Sequence, residues 1–147
     1  MIGRFTFGSP KITFHYFIQN EYAGDVMHEN VALVKSKKFA IRIVRLYQYL
    51  CDSKKEYIMS KQLLRCGTSI GANLSESESA ISKKDFYAKV YIALKETSET
   101  KYWLELLHET DYLTHDEFES VYHDCIEIQK ILNATTKTLA AQLHSLT

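Results

Sequence analysis

The chain has 147 residues, of which 46% are hydrophobic and 24% charged, so one ordinary globular domain can bury a core without disulfides or metal. Its 18 basic residues equal its 18 acidic residues, and this balance excludes a bulk attraction to nucleic acid or to an anionic membrane. The sequence has no run of 18 apolar residues, so it predicts no membrane span. Its three cysteines are typical of buried thiols in a reducing cytoplasm.

The first 26 residues differ from the rest of the chain. They contain the only proline and four of the seven phenylalanines, with a strand-like alternation from Ile12 to Ile18. The crowded aromatic residues do not fit the apolar region of a secretory signal. Two interpretations stay open: a stretch upstream of a natural start at Met27, or an ordered arm that docks aromatic rings on the molecule or a neighbour. We therefore divide the chain into an extension, 1–26, and a helical domain, 27–147.

The pattern becomes helical from Met27 onward. The first predicted helix runs from Val34 to Cys51, and 4-3-4 spacing places its apolar residues on one face. These residues are Phe39, Ile43, Leu46 and Leu50. The second predicted helix runs from Ser60, a good N-cap residue, to Glu78. Its core-facing residues are Leu63, Gly67, Ile70 and Leu74.

Two glycines lie inside the second predicted helix. Each glycine in a helix interior costs about 1 kcal/mol relative to alanine, and a chain keeps that cost where another element approaches the backbone closely. Gly67 lies in the core-facing row and Gly71 follows one turn later. The spacing predicts an unusually close helix–helix contact at this point.

Two capping patterns mark the starts of the last two helices. Ser82 and Asp85 form a carboxylate variant of the capping box, and Thr114 and Glu117 form a standard one. The predicted core row of the third helix is Phe86, Val90, Ala93, Thr97, Thr100, Leu104 and Leu107. That of the fourth is Phe118, Val121, Cys125, Ile128, Leu132, Thr135 and Leu139. Sustained 4-3 spacing with short connections predicts an all-α fold, an antiparallel up-down-up-down four-helix bundle.

The third helix has more apolar surface than one core row requires. A second row and a third row lie on other faces of the same helix. These rows consist of Tyr87, Tyr91 and Leu94, and of Ile92, Trp103 and Leu106. A helix that is apolar on several faces must be covered by something beyond its own bundle. We therefore expect a homo-oligomer, with Tyr87, Tyr91, Ile92, Leu94 and Trp103 as candidate interface residues.

Basic residues recur on one face of the first helix. The candidates for nucleic-acid binding are Lys35, Lys38, Arg42 and Arg45, joined by Lys61 and Arg65 on the second helix. Such a row forms either a solvated helix face or a phosphate-binding ridge that an oligomer would repeat. The spacing alone leaves both interpretations open.

The sequence gives little support to a metal or catalytic site. Di-iron bundles require a Glu-x-x-His motif on each of two helices, and the chain has one, at Glu105 and His108. Glu96 and Glu99 share a face and either bind a cation or pair with a basic residue at a subunit contact. We predict no cofactor, no metal site and no catalytic residue. The alternative is a metal-binding or enzymatic helical bundle with its site between the helices.

Residues 30–143 resemble a family of small bacterial four-helix bundle proteins, the 23S rRNA intervening-sequence or S23-type proteins. The matching segments are Lys61–Arg65, Thr68–Asn73 with Glu76, Lys84–Phe86, Ile92–Glu96, Glu99–Thr100 and Tyr102–Leu104. The resemblance implies a ring-like homopentamer without enzymatic activity, distantly similar to retroelement accessory proteins that bind nucleic acid and a reverse transcriptase. The neutral charge departs from that markedly basic branch. We expect a cytoplasmic, oligomeric scaffold or adaptor that contacts RNA or a nucleic-acid-processing partner.

Overall fold

A computed structural model describes residues 30–145 of the chain. This part consists of four helices, which are α1 (Val31–Asp52), α2 (Met59–Ser77), α3 (Lys83–Glu109) and α4 (His115–His144). No strand occurs among these residues, so the predicted all-α class is confirmed. The predictions for residues 1–26 lie outside the described residues.

The helices form a closed bundle in chain order. Each packs against its sequence neighbours and α4 packs back against α1, which leaves α1 and α3 on opposite sides, and likewise α2 and α4. Neighbours are antiparallel: Ile43 of α1 faces Gly67 of α2, whereas Cys51, two turns further along α1, lies beside Ser60 at the start of α2. The predicted four-helix bundle is therefore confirmed.

The core follows the predicted apolar rows with three differences. Leu46 and Phe86 are only half-buried, and Thr136 rather than Thr135 takes the buried position of α4 after Leu132. A straight α-helix drifts by about 20° per heptad against an exact seven-residue repeat. In α4 this drift moves the core-facing position forward by one residue at Thr136, while Leu139 keeps its predicted buried position.

Gly67 and Gly71 mark the close contact between α1 and α2. A Cβ atom added at Gly67 would lie 2.9 Å from both γ carbons of Ile43, whose side chain is fully buried. A Cβ atom at Gly71 would lie 3.2 Å from the hydroxyl of Ser36. The predicted close helix contact is confirmed, because a side chain at position 67 would overlap the core.

The helix starts show where local sequence patterns succeed and fail. The Thr114–Glu117 capping box is confirmed: the Thr114 N–H donates to Glu117 at 2.9 Å, and the Glu117 N–H to the Thr114 hydroxyl at 3.3 Å. The predicted box at Ser82 and Asp85 is half formed: the Ser82 hydroxyl accepts from the Asp85 N–H at 3.0 Å, but the Asp85 carboxylate accepts from the Ile81 N–H at 3.1 Å. Ser60 is not an N-cap, because α2 begins at Met59 and the buried carboxylate of Glu56 takes that role.

The Glu56 carboxylate accepts three backbone hydrogen bonds at the start of α2. The donors are the N–H groups of Ile58 and Met59, both at 2.9 Å, and of Ser60 at 2.6 Å. Burial by itself would raise the pKa of Glu56, but these hydrogen bonds outweigh it and lower the pKa. The ionised side chain thus satisfies N–H groups that the first turn of a helix leaves without partners.

Candidate self-association and nucleic-acid interfaces

Two of the predicted nucleic-acid-binding residues on α1 contact α4. The ammonium of Lys35 lies 2.8 Å from the carboxylate of Glu127. The Arg42 guanidinium donates to the carbonyl of Ser120 at 2.9 Å, to its hydroxyl at 2.6 Å, and to the Asp124 carboxylate. Since these cations already hold two helices together, phosphate binding at either would compete with contacts of the fold.

Of the four other basic candidates, three have no ion pair with a described residue and one is paired. Lys38, Arg45 and Lys61 are exposed and form no ion pair with any residue between 30 and 145. Arg65 forms an ion pair with Glu99 and lies 3.9 Å from Glu96. The candidate set therefore contains three unpaired cations on the outer side of α1 and α2.

Arg65 belongs to a polar cluster on the α2–α3 side of the bundle. The indole N–H of Trp103 donates to the same Glu99 oxygen at 3.3 Å. The hydrogen bond from Arg65 lowers the pKa of Glu99, whereas burial raises the pKa of Glu96. One oxygen of Glu96 is inaccessible to solvent and accepts no hydrogen bond within the described chain. Two carboxylates share one guanidinium here, which leaves Glu96 incompletely compensated.

The predicted interface residues on α3 separate into covered and uncovered ones. Leu94 and Trp103 are half-buried against the core, so the bundle itself absorbs part of each extra row. Tyr87 is half-buried and stacks on Tyr91 with ring centroids 5.8 Å apart. Tyr91 remains 46% exposed and Ile92 38% exposed. Whether these residues contact another copy stays a prediction.

Sequence reasoning missed seven further exposed large apolar residues in the described part of the chain, and three of them enlarge the outer surfaces of α1 and α3. Tyr102 of α3 is 56% exposed, while Ile41 and Val44 of α1 are 48% and 39% exposed. The signal for the α1 pair was available, because both residues fall outside the core row of Phe39, Ile43 and Leu50, where a surface helix usually carries polar residues.

An open groove runs along the outer side of the α1–α2 contact. It has a volume of about 660 Å³, and its walls combine apolar side chains of α1 with small residues of α2. The lining consists of Leu33, Val34, Lys37, Lys38, Ala40, Thr68, Gly71, Ala72 and Ser75. Gly71 belongs to this lining at the point where α2 lies closest to Ser36 of α1.

The residues proposed for a metal or catalytic alternative have other partners. Glu105 accepts from the Tyr122 hydroxyl at 2.6 Å, and His108 contacts the Leu113 carbonyl at 3.0 Å and stacks on Phe118. Between residues 30 and 145, no group of three or more His, Cys, Asp or Glu side chains could hold a metal ion.

The buried cysteines are poor nucleophiles. Burial raises the pKa of Cys66 to about 11 and that of Cys125 to about 12, so both thiols stay protonated at neutral pH. Among the described helices, none is both long and apolar enough to cross a membrane.

The chain is similar to known proteins over nearly all of the described residues. The family model for 23S rRNA-intervening sequence proteins matches residues 28–134. A crystal structure of a protein with unknown function from the S23 ribosomal protein family of Bacteroides thetaiotaomicron VPI-5482 is 53% identical, with a TM-score of 0.72. The match covers 73% of this chain and 99% of that one. No curated protein matches. This chain belongs to the 23S rRNA-intervening sequence protein family.

Proposed function

We propose that this protein is a non-enzymatic, self-assembling scaffold or adaptor that acts in the cytoplasm. The observation that carries the proposal is the apolar surface of α3, where Tyr91, Ile92 and Tyr102 stay exposed after the bundle has closed. Several exposed apolar residues on the outer side of one helix are typical of an interaction site. A second copy of the chain is the simplest cover for them.

We further propose that the assembly is the ring-like homopentamer that the family resemblance implies. Light scattering or sedimentation of the purified protein tests this directly. We expect a particle of about five times the 17.0 kDa chain mass. A particle that stays at 17.0 kDa at high protein concentration would remove the scaffold proposal, and another stable multiple would remove the pentamer alone.

RNA contact is a second candidate function of the same assembly. It is favoured by the three exposed cations without ion pairs, Lys38, Arg45 and Lys61. Repetition around an oligomer would add their modest individual attractions. Arg42 and Lys35 are unsuitable for the test, because reversing their charge would also disturb the α1–α4 contact.

The RNA experiment compares wild type with the variant Lys38→Glu, Arg45→Glu, Lys61→Glu across a range of salt concentrations. We expect wild-type affinity to fall with salt by about 0.7 log units per log unit for each phosphate contact. The variant should lose that affinity. The control, Lys130→Glu with Lys137→Glu, reverses exposed cations of α4 and should bind nearly as wild type. No wild-type affinity at low salt would remove the RNA proposal and leave the scaffold.

The metal-binding or enzymatic alternative has its own inexpensive test. Elemental analysis of the purified protein would support it if a transition metal were present near one equivalent per chain. Loss of that metal in a Glu105→Gln, His108→Ala variant would then place the metal at these residues of α3.

A further inference from the structure

Two surfaces that combine exposed apolar residues with charged residues lie on diagonally opposite helices. The α1 surface consists of exposed Ile41 and Val44 with the unpaired cations Lys38 and Arg45. The α3 surface consists of exposed Tyr91, Ile92 and Tyr102, with Glu96 and Glu99 along its α2 side. Because α1 and α3 do not contact each other in the bundle, neither surface can cover the other within one copy.

The α1 surface is cationic, whereas the carboxylates of the α3 surface offset the cations near them. Lys38 and Arg45 have no acidic partner within residues 30–145, whereas Glu96 shares a single guanidinium with Glu99. Lys95 is also exposed on the α3 side, so the charges set the register of a contact more than its net attraction. The apolar residues supply the driving force, since their burial is favourable wherever they meet.

We propose that the α1 surface of one copy docks on the α3 surface of the next copy. This inference rests on the proposed function, because it names which surfaces of the self-assembling chain meet. A neighbouring chain suits the α1 surface better than RNA does. Phosphates are bound by cations and hydrogen-bond donors, which the side chains of Ile41 and Val44 do not supply, and these two residues are covered best by an apolar partner. RNA contact is then left mainly to Lys61.

The two other pairings are less favourable. Two α1 surfaces in contact would bring Lys38 and Arg45 against the same cations of the partner. Two α3 surfaces in contact would leave Ile41 and Val44 of every copy uncovered. A contact between the α1 surface of one copy and the α3 surface of the next leaves one surface of each kind free at the ends of any open row of copies. Such a head-to-tail contact repeats until it closes into a ring or extends as a filament.

The contact between an α1 surface and an α3 surface allows a complementation experiment in the full chain. One variant, Ile41→Glu with Val44→Glu, disables the α1 surface, and the other, Ile92→Lys with Tyr102→Lys, disables the α3 surface. All four positions are exposed, and glutamate and lysine are good helix formers, so each variant should keep the helical content and melting temperature of a folded bundle.

Each variant alone should have the mass of one chain, 17.0 kDa. An equimolar mixture should have the mass of two chains and grow no further, because one intact α1 surface meets one intact α3 surface. Trp103 is the only tryptophan and lies beside the α3 surface, so its fluorescence should change on mixing and not in either variant alone. The matched control, Ile81→Glu, changes a residue that is 84% exposed between α2 and α3 and should keep the wild-type mass.

Two results would overturn the inference while leaving the scaffold proposal intact. The first is an α1 or α3 variant that alone stays oligomeric, for instance an α1 variant that keeps the wild-type mass and loses only RNA affinity. The second is a pair of variants that each have the mass of one chain and form no dimer when mixed. A wild-type protein with the mass of one chain would instead remove both the scaffold proposal and this inference. The two failures are therefore distinguishable.

Discussion

Helix α1 is held to its two neighbours by different means. Against α2 the contact is close and mostly apolar, with Ile43 packed on the bare backbone of Gly67. Against α4, which it contacts least, α1 uses partly exposed polar bridges from Arg42 and Lys35. Dense packing in a dry interface resists even one added methyl group, whereas exposed ion pairs contribute little stability each. The comparison indicates that the α1–α2 contact stabilises the bundle, whereas the α1–α4 contact mainly fixes the orientation of these two helices.

The largest effect should come from Gly67→Ala. The new methyl group would lie 2.9 Å from a fully buried Ile43 side chain that cannot move into solvent. We expect a loss of about 1–3 kcal/mol in the free energy of unfolding from overpacking. This loss should persist although alanine improves helix propensity by about 1 kcal/mol. Urea denaturation followed by circular dichroism measures it.

Gly71→Ala is the matched control for that change. It gains the same helix propensity, but its methyl group would meet a serine hydroxyl at 3.2 Å, which can adjust by a few tenths of an ångström. Its free energy of unfolding should lie clearly above that of Gly67→Ala. Equal stabilisation by both substitutions would show that α1 and α2 are not held as closely as the structure indicates.

The next effect concerns the connection between α1 and α2. Glu56→Ala removes the acceptor of three backbone N–H groups, and loss of a helix cap typically costs about 0.5–2 kcal/mol. Because the pKa of Glu56 is lowered in the folded state, its contribution is present above the ordinary carboxyl pKa. It is lost as pH falls through the lowered value.

Unfolding measured at neutral pH and again in acid tests this expectation. The difference in free energy of unfolding between wild type and Glu56→Ala should be largest at neutral pH and should become smaller as pH decreases. Asp52→Ala, at the exposed end of α1, is a control that should leave the free energy of unfolding nearly unchanged. A difference in free energy of unfolding that becomes larger in acid would contradict the assignment of Glu56 as an ionised cap.

These residues show what the sequence could and could not predict. The glycine spacing, the capping boxes and the apolar rows are local patterns, so helix order and the close α1–α2 contact followed from them. The capping role of Glu56 was not predicted, because it depends on the chain turning back at Lys55, a non-glycine residue with positive φ. The partners of Arg42 escaped because Asp124 lies 82 residues away, and helical spacing gives no information on such pairs.

On the α4 side, Arg42→Met should have a smaller effect than either change at α2. Methionine keeps an unbranched apolar side chain but removes the hydrogen bonds to Ser120 and Asp124. Because both charged side chains are more than a third exposed, we expect a loss of about 1 kcal/mol or less. The effect should shrink in high salt, which screens exposed pairs. Arg45→Met, which breaks no pair in the described chain, is the control in dilute protein.

The smallest effect should come from Lys35→Gln, at the more exposed of the two bridges. The hydrogen bond from Lys35 lowers the pKa of Glu127, so the pair stabilises the fold above the ordinary carboxyl pKa and loses this contribution in acid. A double-mutant cycle with Glu127→Gln isolates the coupling, which should be smaller than that between Arg42 and Asp124. A larger coupling at Lys35 would mean that the N-terminal end of α1, rather than its middle, fixes the orientation of α4. Arg42 would then be free to serve another contact.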